Sequence, residues 1–573
     1  MKESFRQSMA WLHTWSGLLV CWILFLVFTA GTASYFRDEI SLWMKPELHA
    51  VQVRGVAAAT AAEVAVRALQ ERAPEAKRWF ITLPTDRTPA VRIAYTDPDS
   101  SKRRLKSALI DPASGMELKD PRETRGGEFI YRLHFDLHYM PAIWARWIVG
   151  FCAMFMLVSI LSGVITHKRI FKDFFTFRGN KGQRSWLDAH NATAVLALPY
   201  HLMITYTGLV TLMFLYMPAA TQAAYKGDRE AMTAEVFPSA GKPVKPAGVQ
   251  APLAAIRPIV EQAESHWGGR AAGGISVTSP NDANARISVT RAAGRELSSK
   301  QPAMQFDGAS GALLAQAGDD PSGAAATHGV MYGLHIARFA GPLLRAFFFI
   351  SGLAGCAMVA TGALLWAVKS RQRQAKTLKA GGKVGFGTRL VEALNLGAIA
   401  GLPIAYGVYF WANRLVPVGL EKRPETEIAW FFAAWGAAMV LAQIRPDRLM
   451  WRLQLGAGAL LLMGIPVLNV FTTSSHLGVT MLQSRGPVAV AGFDLTVFAL
   501  GLLLACAAHR LGRSADKAVP AAKAGGGSPA RAAALAPAPL AAEAAAPATA
   551  TPAAAGSTHT AGAREAAPIP EPT

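Results

Sequence analysis

The chain has 573 residues, 51% of them hydrophobic and only 17% charged, with a mean hydropathy of +0.23 and a formal net charge of +20. A soluble protein carries roughly 25% charged residues, and here the apolar residues fall in long blocks, which excludes one large soluble core and indicates a chain embedded in the lipid bilayer. The basic residues cluster beside those blocks, not on an aromatic-interleaved polar surface, which reads as topology signalling toward anionic lipid and excludes nucleic acid as a partner.

In chain order, Lys2 and Arg6 precede an apolar stretch too long for a cleavable signal and lacking an A-x-A site, so it reads as a retained anchor. This first predicted helix runs over Met9–Phe36, within residues 1–36. A soluble segment follows over 37–141, with a helix at Thr60–Ala73 and strands at Trp79–Leu83, Val91–Tyr95 and Arg104–Ile110. Helices 2 (Ile143–Thr166) and 3 (Leu187–Met217) occupy 142–217, joined by a loop rich in Lys and Arg. A second soluble segment, 218–342, repeats the first: a helix at Leu253–Trp267, then strands near Gly274–Thr278, Ala285–Thr290 and Met304–Phe306. Helix 4 (Leu343–Val368) lies in 343–368. Helices 5 to 8 (Val391–Trp411, Ile428–Ile444, Leu453–Phe471, Val488–His509) fill 389–510, and an Ala/Pro-rich tail over 511–573 reads as disordered. The positive-inside rule puts the loops after helices 2, 4 and 6, and with them both termini, in the cytoplasm; the soluble segments then face the opposite side.

The two halves of residues 1–368 are copies. Met9-Ala10-Trp11-Leu12-His13 opens helix 1 and Ser185-Trp186-Leu187-Asp188-Ala189-His190 opens helix 3. Asp111-Pro112-Ala113-Ser114-Gly115 matches Asp307-Gly308-Ala309-Ser310-Gly311, and Tyr131-Arg132-Leu133-His134 matches Tyr332-Gly333-Leu334-His335. Two helix–domain–helix copies make a four-helix bundle, a usual place for a cofactor.

Histidine in a membrane helix is costly and usually functional. Six stand out: His13, His167 and His190 at the cytoplasmic ends of helices 1 to 3, His201 deeper in helix 3, and His134 and His335 before helices 2 and 4. On a straight helix His190 and His201 share one face and lie about 16 Å apart. That suits two stacked haems, each iron taking an imidazole from two helices; zinc or copper would need three or four ligands at one point. On the cytoplasmic side His190 pairs best with His13 or His167. On the outer side His201 pairs with His335 or His134, or His134 pairs with His335 by symmetry. Arg132, Arg146, Arg338 and Arg345 are candidates for the haem propionates, or snorkelling surface arginines. The four cysteines all lie in apolar blocks, and no CxxCH is present, so haem would be bound non-covalently; the histidine layout is similar to that of di-haem cytochrome b-type membrane proteins, which implies haem b in two copies. The last four helices show few charges and no obvious site.

Arg6-x-x-Met9-x-Trp11-Leu12-His13-x-Trp15-x-Gly17, Gly163-x-x-x-His167-Lys168-Arg169-Ile170-Phe171, Asp188-x-His190 and Leu198-Pro199-Tyr200-His201-x-Met203-Ile204 together resemble the PepSY-associated transmembrane family over about residues 1–370. The resemblance implies that the soluble segments are PepSY-like periplasmic domains. It also implies an inner-membrane b-type haem protein passing electrons to a periplasmic ferric siderophore or related metal complex. The expected fold is an all-α polytopic membrane protein of about eight transmembrane helices, with a duplicated four-helix haem bundle and two small α+β PepSY-like domains. Its expected partners are lipid, an iron–siderophore complex and a separate electron donor, quinol or a cytoplasmic reductase, since no nucleotide or flavin motif is present. The competing readings are a non-redox permease for iron complexes and a PepSY-based binding or regulatory protein.

Overall fold

The computed structural model describes residues 4–51, 56–96, 105–118, 121–167, 178–179, 181–238 and 244–516. Most of the basic loop after the second span, and the tail from residue 517, lie outside the described residues. Among those described, seven helices are long and apolar enough to cross a membrane, or eight if one bent pair counts as a span. The protein is therefore a polytopic membrane protein.

The first copy comprises α1 (Phe5–Ser34), the short α2 (Arg37–Trp43), α3 (Ala58–Arg72), strands β1 (Arg78–Thr82), β2 (Val91–Thr96) and β3 (Leu105–Ile110), α4 (Gly126–Asp136) and α5 (Ala142–Thr166). The second opens with α6 (Gln183–Leu196) and α7 (Leu198–Thr211) and three short helices up to Val236. It continues through α8 (Ile256–His266), β4 (Ala272–Thr278), β5 (Arg286–Arg291), β6 (Ala303–Asp307) and β7 (Leu313–Ala317) to α9 (Gly323–Ile336) and α10 (Pro342–Arg373). The last spans are formed by α11 (Phe386–Ile399) with α12 (Gly401–Leu415), then α13 (Arg423–Ile444), α14 (Arg448–Thr472) and α15 (Val488–Asp516). The last helix runs on past the expected boundary at 510.

Helix 3 departs from the expected straight rod. It is broken between α6 and α7, which meet at 68°. Pro199 stands in the first turn of α7; it has no N–H to continue the ladder from α6, and its ring crowds the preceding turn. His190 and His201 fall on opposite sides of this break, so the face and spacing inferred for a straight helix do not hold.

The soluble segments also differ from two separate modules. Their strands form one antiparallel sheet of order β3-β2-β1-β4-β5-β6-β7, joined where β1 pairs with β4. Phe80 pairs with Ser276 at the centre of that seam. These two positions are 196 apart in the chain, as are Asp111 and Asp307, so the local twofold axis passes through the Phe80–Ser276 pair. Alternate residues of the strands, among them Trp79, Ile93, Val277, Ile287 and Phe306, are buried against Leu69 of α3 and Val260 of α8. Period-two burial under an amphipathic helix is what such strand sequences require.

The duplicated turns are built alike. Asp111 accepts from the Ser114 N–H (2.8 Å) and hydroxyl (2.9 Å) before Gly115 at φ +76°. Asp307 accepts from the Ser310 N–H (2.9 Å) and hydroxyl (3.0 Å) before Gly311 at φ +77°. The Ser310 N–H is the first cause holding the Asp307 carboxyl below the usual range.

Candidate functional site

Four of the six histidines meet in two pairs. His13 on α1 faces His190 on α6 with ring centres 6.1 Å apart, and His134 on α4 faces His335 on α9 at 6.0 Å. Two imidazoles bound to one iron from opposite sides need about 2 Å per metal–nitrogen bond and about 1.1 Å from each nitrogen to its ring centre, so about 6 Å in all. Both pairs stand at that spacing.

Each ring is fixed through Nδ1. That atom in His13 donates to the Ser159 carbonyl (2.8 Å), in His134 to that of Val27 (2.7 Å), and in His190 to that of Met358 (2.9 Å). His335 Nδ1 lies 3.2 Å from the Thr207 hydroxyl, and the Ile204 backbone also accepts from the ring. A carbonyl can only accept, and the Thr207 hydroxyl, whose proton goes to the Met203 carbonyl (2.7 Å), accepts from His335, so the proton is on Nδ1 and the Nε2 lone pair is left for a metal. The bonds run crosswise within each copy. The first histidine of a copy reaches the copy's second span, and the second histidine reaches back to its first.

Four glycines make those bonds possible. In an α-helix the carbonyl of residue i points toward residue i+4, whose side chain covers it from outside. The acceptors Val27, Ser159, Ile204 and Met358 are each followed, four residues on, by a glycine: Gly31, Gly163, Gly208 and Gly362. A Cβ at Gly31 would lie 2.7 Å from His134 Cε1, at Gly163 3.1 Å from His13 Cε1, and at Gly208 and Gly362 3.0 Å from Cε1 of His335 and His190. Gly31 and Gly208 each follow their helix's opening histidine by eighteen residues. Aligning the two copies by their histidines would have singled them out.

His134 and His335 line a cavity of about 310 Å³ between α1, α5 and α7. Its walls are apolar at depth, with Leu24, Phe28 and Met156, while Arg37, Arg87, Arg146 and Arg338 line it too. Arg146 is held by Asp136 (2.8 Å) and Arg87 by Glu39 (2.7 Å), whereas Arg338 has no acidic partner among the described residues. Of the other arginines singled out, Arg132 pairs with Glu128 and Asp136, and Arg345 with Glu39. Among the described residues no three His, Cys, Asp or Glu side chains converge as a metal cluster would require.

The remaining two histidines join neither pair. His167 Nε2 meets the Asn191 side-chain amide at 3.0 Å. His201 is fully buried on α7 beside Phe28; neither ring nitrogen makes a hydrogen bond of normal geometry, although the Ser351 and Ala194 backbones stand by the ring and a Cβ at Gly355 would lie 3.3 Å from its Nε2. Counted from the opening histidine, its counterpart in the first copy is Leu24.

The C-terminal helices hold polar residues that sequence reasoning passed over. Arg414, Arg423, Glu427, Asn469 and Asp494 are all buried. Glu427 accepts from Arg423, from Asn413 (2.8 Å) and from the Thr124 hydroxyl, and Asp494 accepts from Trp43 Nε1 and Asn469 (2.8 and 2.9 Å). Widely spaced single charges in apolar helices give no local signal; only the packing collects them.

The PepSY-associated TM region matches residues 10–369. An uncharacterized protein of Pseudomonas aeruginosa is 25% identical over 386 residues, covering 63% of this chain and 89% of its own length. The family match takes in both histidine pairs and all four glycines and ends before the last four spans. The chain belongs to the PepSY-associated transmembrane family.

Proposed function

We propose that this protein is an inner-membrane b-type haem reductase that passes electrons to a ferric siderophore or related iron complex on the periplasmic face. The observation that carries the reading is the pair of facing imidazole couples, each ring fixed through Nδ1 with its partner's ring about 6 Å away. Two such couples would hold two iron porphyrins, which accept and donate one electron each when bound.

The chain's own residues would do the rest. A carbonyl bonded to Nδ1–H fixes each tautomer and makes Nε2 a better donor to iron. The arginines lining the cavity would neutralise the propionates, and its apolar depth keeps water from the ring faces. His13 and Gly31 lie on one face of α1 about 27 Å apart, close to the hydrocarbon thickness of about 30 Å, so the two couples stand near opposite faces of the bilayer. The electron would come from quinol or a separate cytoplasmic reductase. Ferric iron gaining one electron becomes Fe(II), which hard oxygen ligands hold less tightly, and the metal is released.

The test is an optical spectrum of the purified protein, oxidised and dithionite-reduced, with a haem-to-protein ratio. A reduced b-type spectrum and a ratio near two are expected. A protein prepared under haem-replete conditions that carries no haem would overturn the reading.

A further inference from the structure

His134 stands on α4, an eleven-residue helix, too short to hold its place by backbone bonding alone. Like α9, which carries the opposing His335 and packs on α7, α4 packs on the first span of its own copy, α1, but it is also held from outside. The strand of chain entering α4 is gripped by the last four spans. Tyr409 Oη donates to the Gly126 carbonyl (2.9 Å), the Thr124 hydroxyl donates to Glu427, and Arg423 donates to the Glu123 carbonyl (2.8 Å). Phe129, five residues before His134 on α4, has its ring centre 5.0 Å from Tyr409 and 5.2 Å from Phe431.

The exit from α4 is strained. Leu137, His138 and Tyr139 all have positive φ, 51°, 57° and 47°. Three successive non-glycine residues in this region cost about 1–2 kcal/mol each and persist only where neighbours impose them. Phe432 packs against this turn, stacking on His138 at 5.5 Å and 12° with its ring centre 4.9 Å from that of Tyr139. The counterpart turn after His335 has a single such residue, Ala337. α2, against which α4 packs, is fixed in the same way: Arg414 lies 3.9 Å over the Trp43 ring and donates to the Trp43 carbonyl (2.7 Å). A buried polar network so largely paired stiffens the elements it joins.

We propose that the last four spans are a clamp on α4, and that Tyr409, Glu427 and Phe432 are positioning residues that fix His134 and thereby tune the outer histidine couple, leaving His13–His190 untouched. The tuning rests on the electron-carrier reading above; the clamp itself does not.

The experiment compares full-length wild type with Tyr409→Phe and Phe432→Ala. Hydrogen–deuterium exchange is followed over residues 126–140, and each haem centre is titrated potentiometrically, the centres being assigned with His13→Leu and His134→Leu. Expected are exchange about tenfold faster in 126–140 and a shifted midpoint for the outer centre alone. Tyr409→Phe removes one hydroxyl and keeps the packing, so it reports even if Phe432→Ala misfolds. Unchanged exchange in Tyr409→Phe overturns the clamp. Faster exchange with both midpoints moving together, or neither, overturns the tuning. Wild type without haem sinks the electron-carrier reading and with it the tuning, while exchange still decides the clamp.

Discussion

A histidine in a helix bundle can hydrogen-bond a carbonyl of the next helix only where that carbonyl is uncovered, and here glycine does the uncovering at four places. Tyr216 provides a fifth case: its hydroxyl donates to the Arg146 carbonyl (2.7 Å), and four residues on stands Gly150, where a Cβ would lie 2.3 Å from the Tyr216 ring. Valine at Gly31 is therefore expected to push His134 off its carbonyl, at a cost of about 1–3 kcal/mol for an overpacked contact. The haem-to-protein ratio should fall by about one, while Gly17→Ala, whose Cβ meets only Ser159 Oγ at 3.8 Å, should keep it. Equal retention in both variants would remove the glycines from the site. His201 leads to the opposite expectation. It lacks a facing imidazole, and its counterpart is Leu24, so His201→Leu should bind as much haem as wild type, whereas His190→Leu should lose one equivalent. Loss of a haem from His201→Leu would restore that residue as a ligand.

Elements were legible where they depend on local pattern and not where they depend on what meets them. The spans, the helix over Thr60–Ala73 and most strands follow from apolar length and alternation, which act within a few residues. Three features escaped that pattern. The break at Pro199 was hidden because proline is tolerated in membrane helices and an apolar run reads as continuous across it. The strand β7 pairs Leu313 with Phe306 across a bulge and has exposed leucines, so its alternation is weak. The seam between β1 and β4 joins residues 196 apart, which propensity cannot register. That seam joins the two soluble segments in one sheet, so they are expected to unfold together. Proline at Phe80, a central strand position, would remove a ladder bond and leave its partner unsatisfied, at a cost of about 1–3 kcal/mol. Limited proteolysis should then cut in both segments, 37–141 and 218–342, at a similarly raised rate. Cutting confined to the first would mean that each segment folds alone.

At the scale of the whole molecule, duplication builds the site and the added spans break its symmetry. Each copy alone offers two histidines but no facing couple, because His13 meets His190 and His134 meets His335 only across the twofold axis. If the couples carry electrons as proposed, losing either would interrupt a single line of transfer between the two faces of the bilayer, and a line in series has a simple signature. With the protein reconstituted in vesicles, reductant inside and a ferric chelate outside, His13→Leu and His134→Leu should each slow reduction about 100-fold or more. The double variant should be no slower than the worse single one, since a broken series cannot be broken twice, and effects of residues acting as a unit do not add. Two couples working in parallel would give a milder loss in each single variant and a much larger one in the double. The rate ratio between double and single variants thus separates a relay across the membrane from two independent centres that share a bundle.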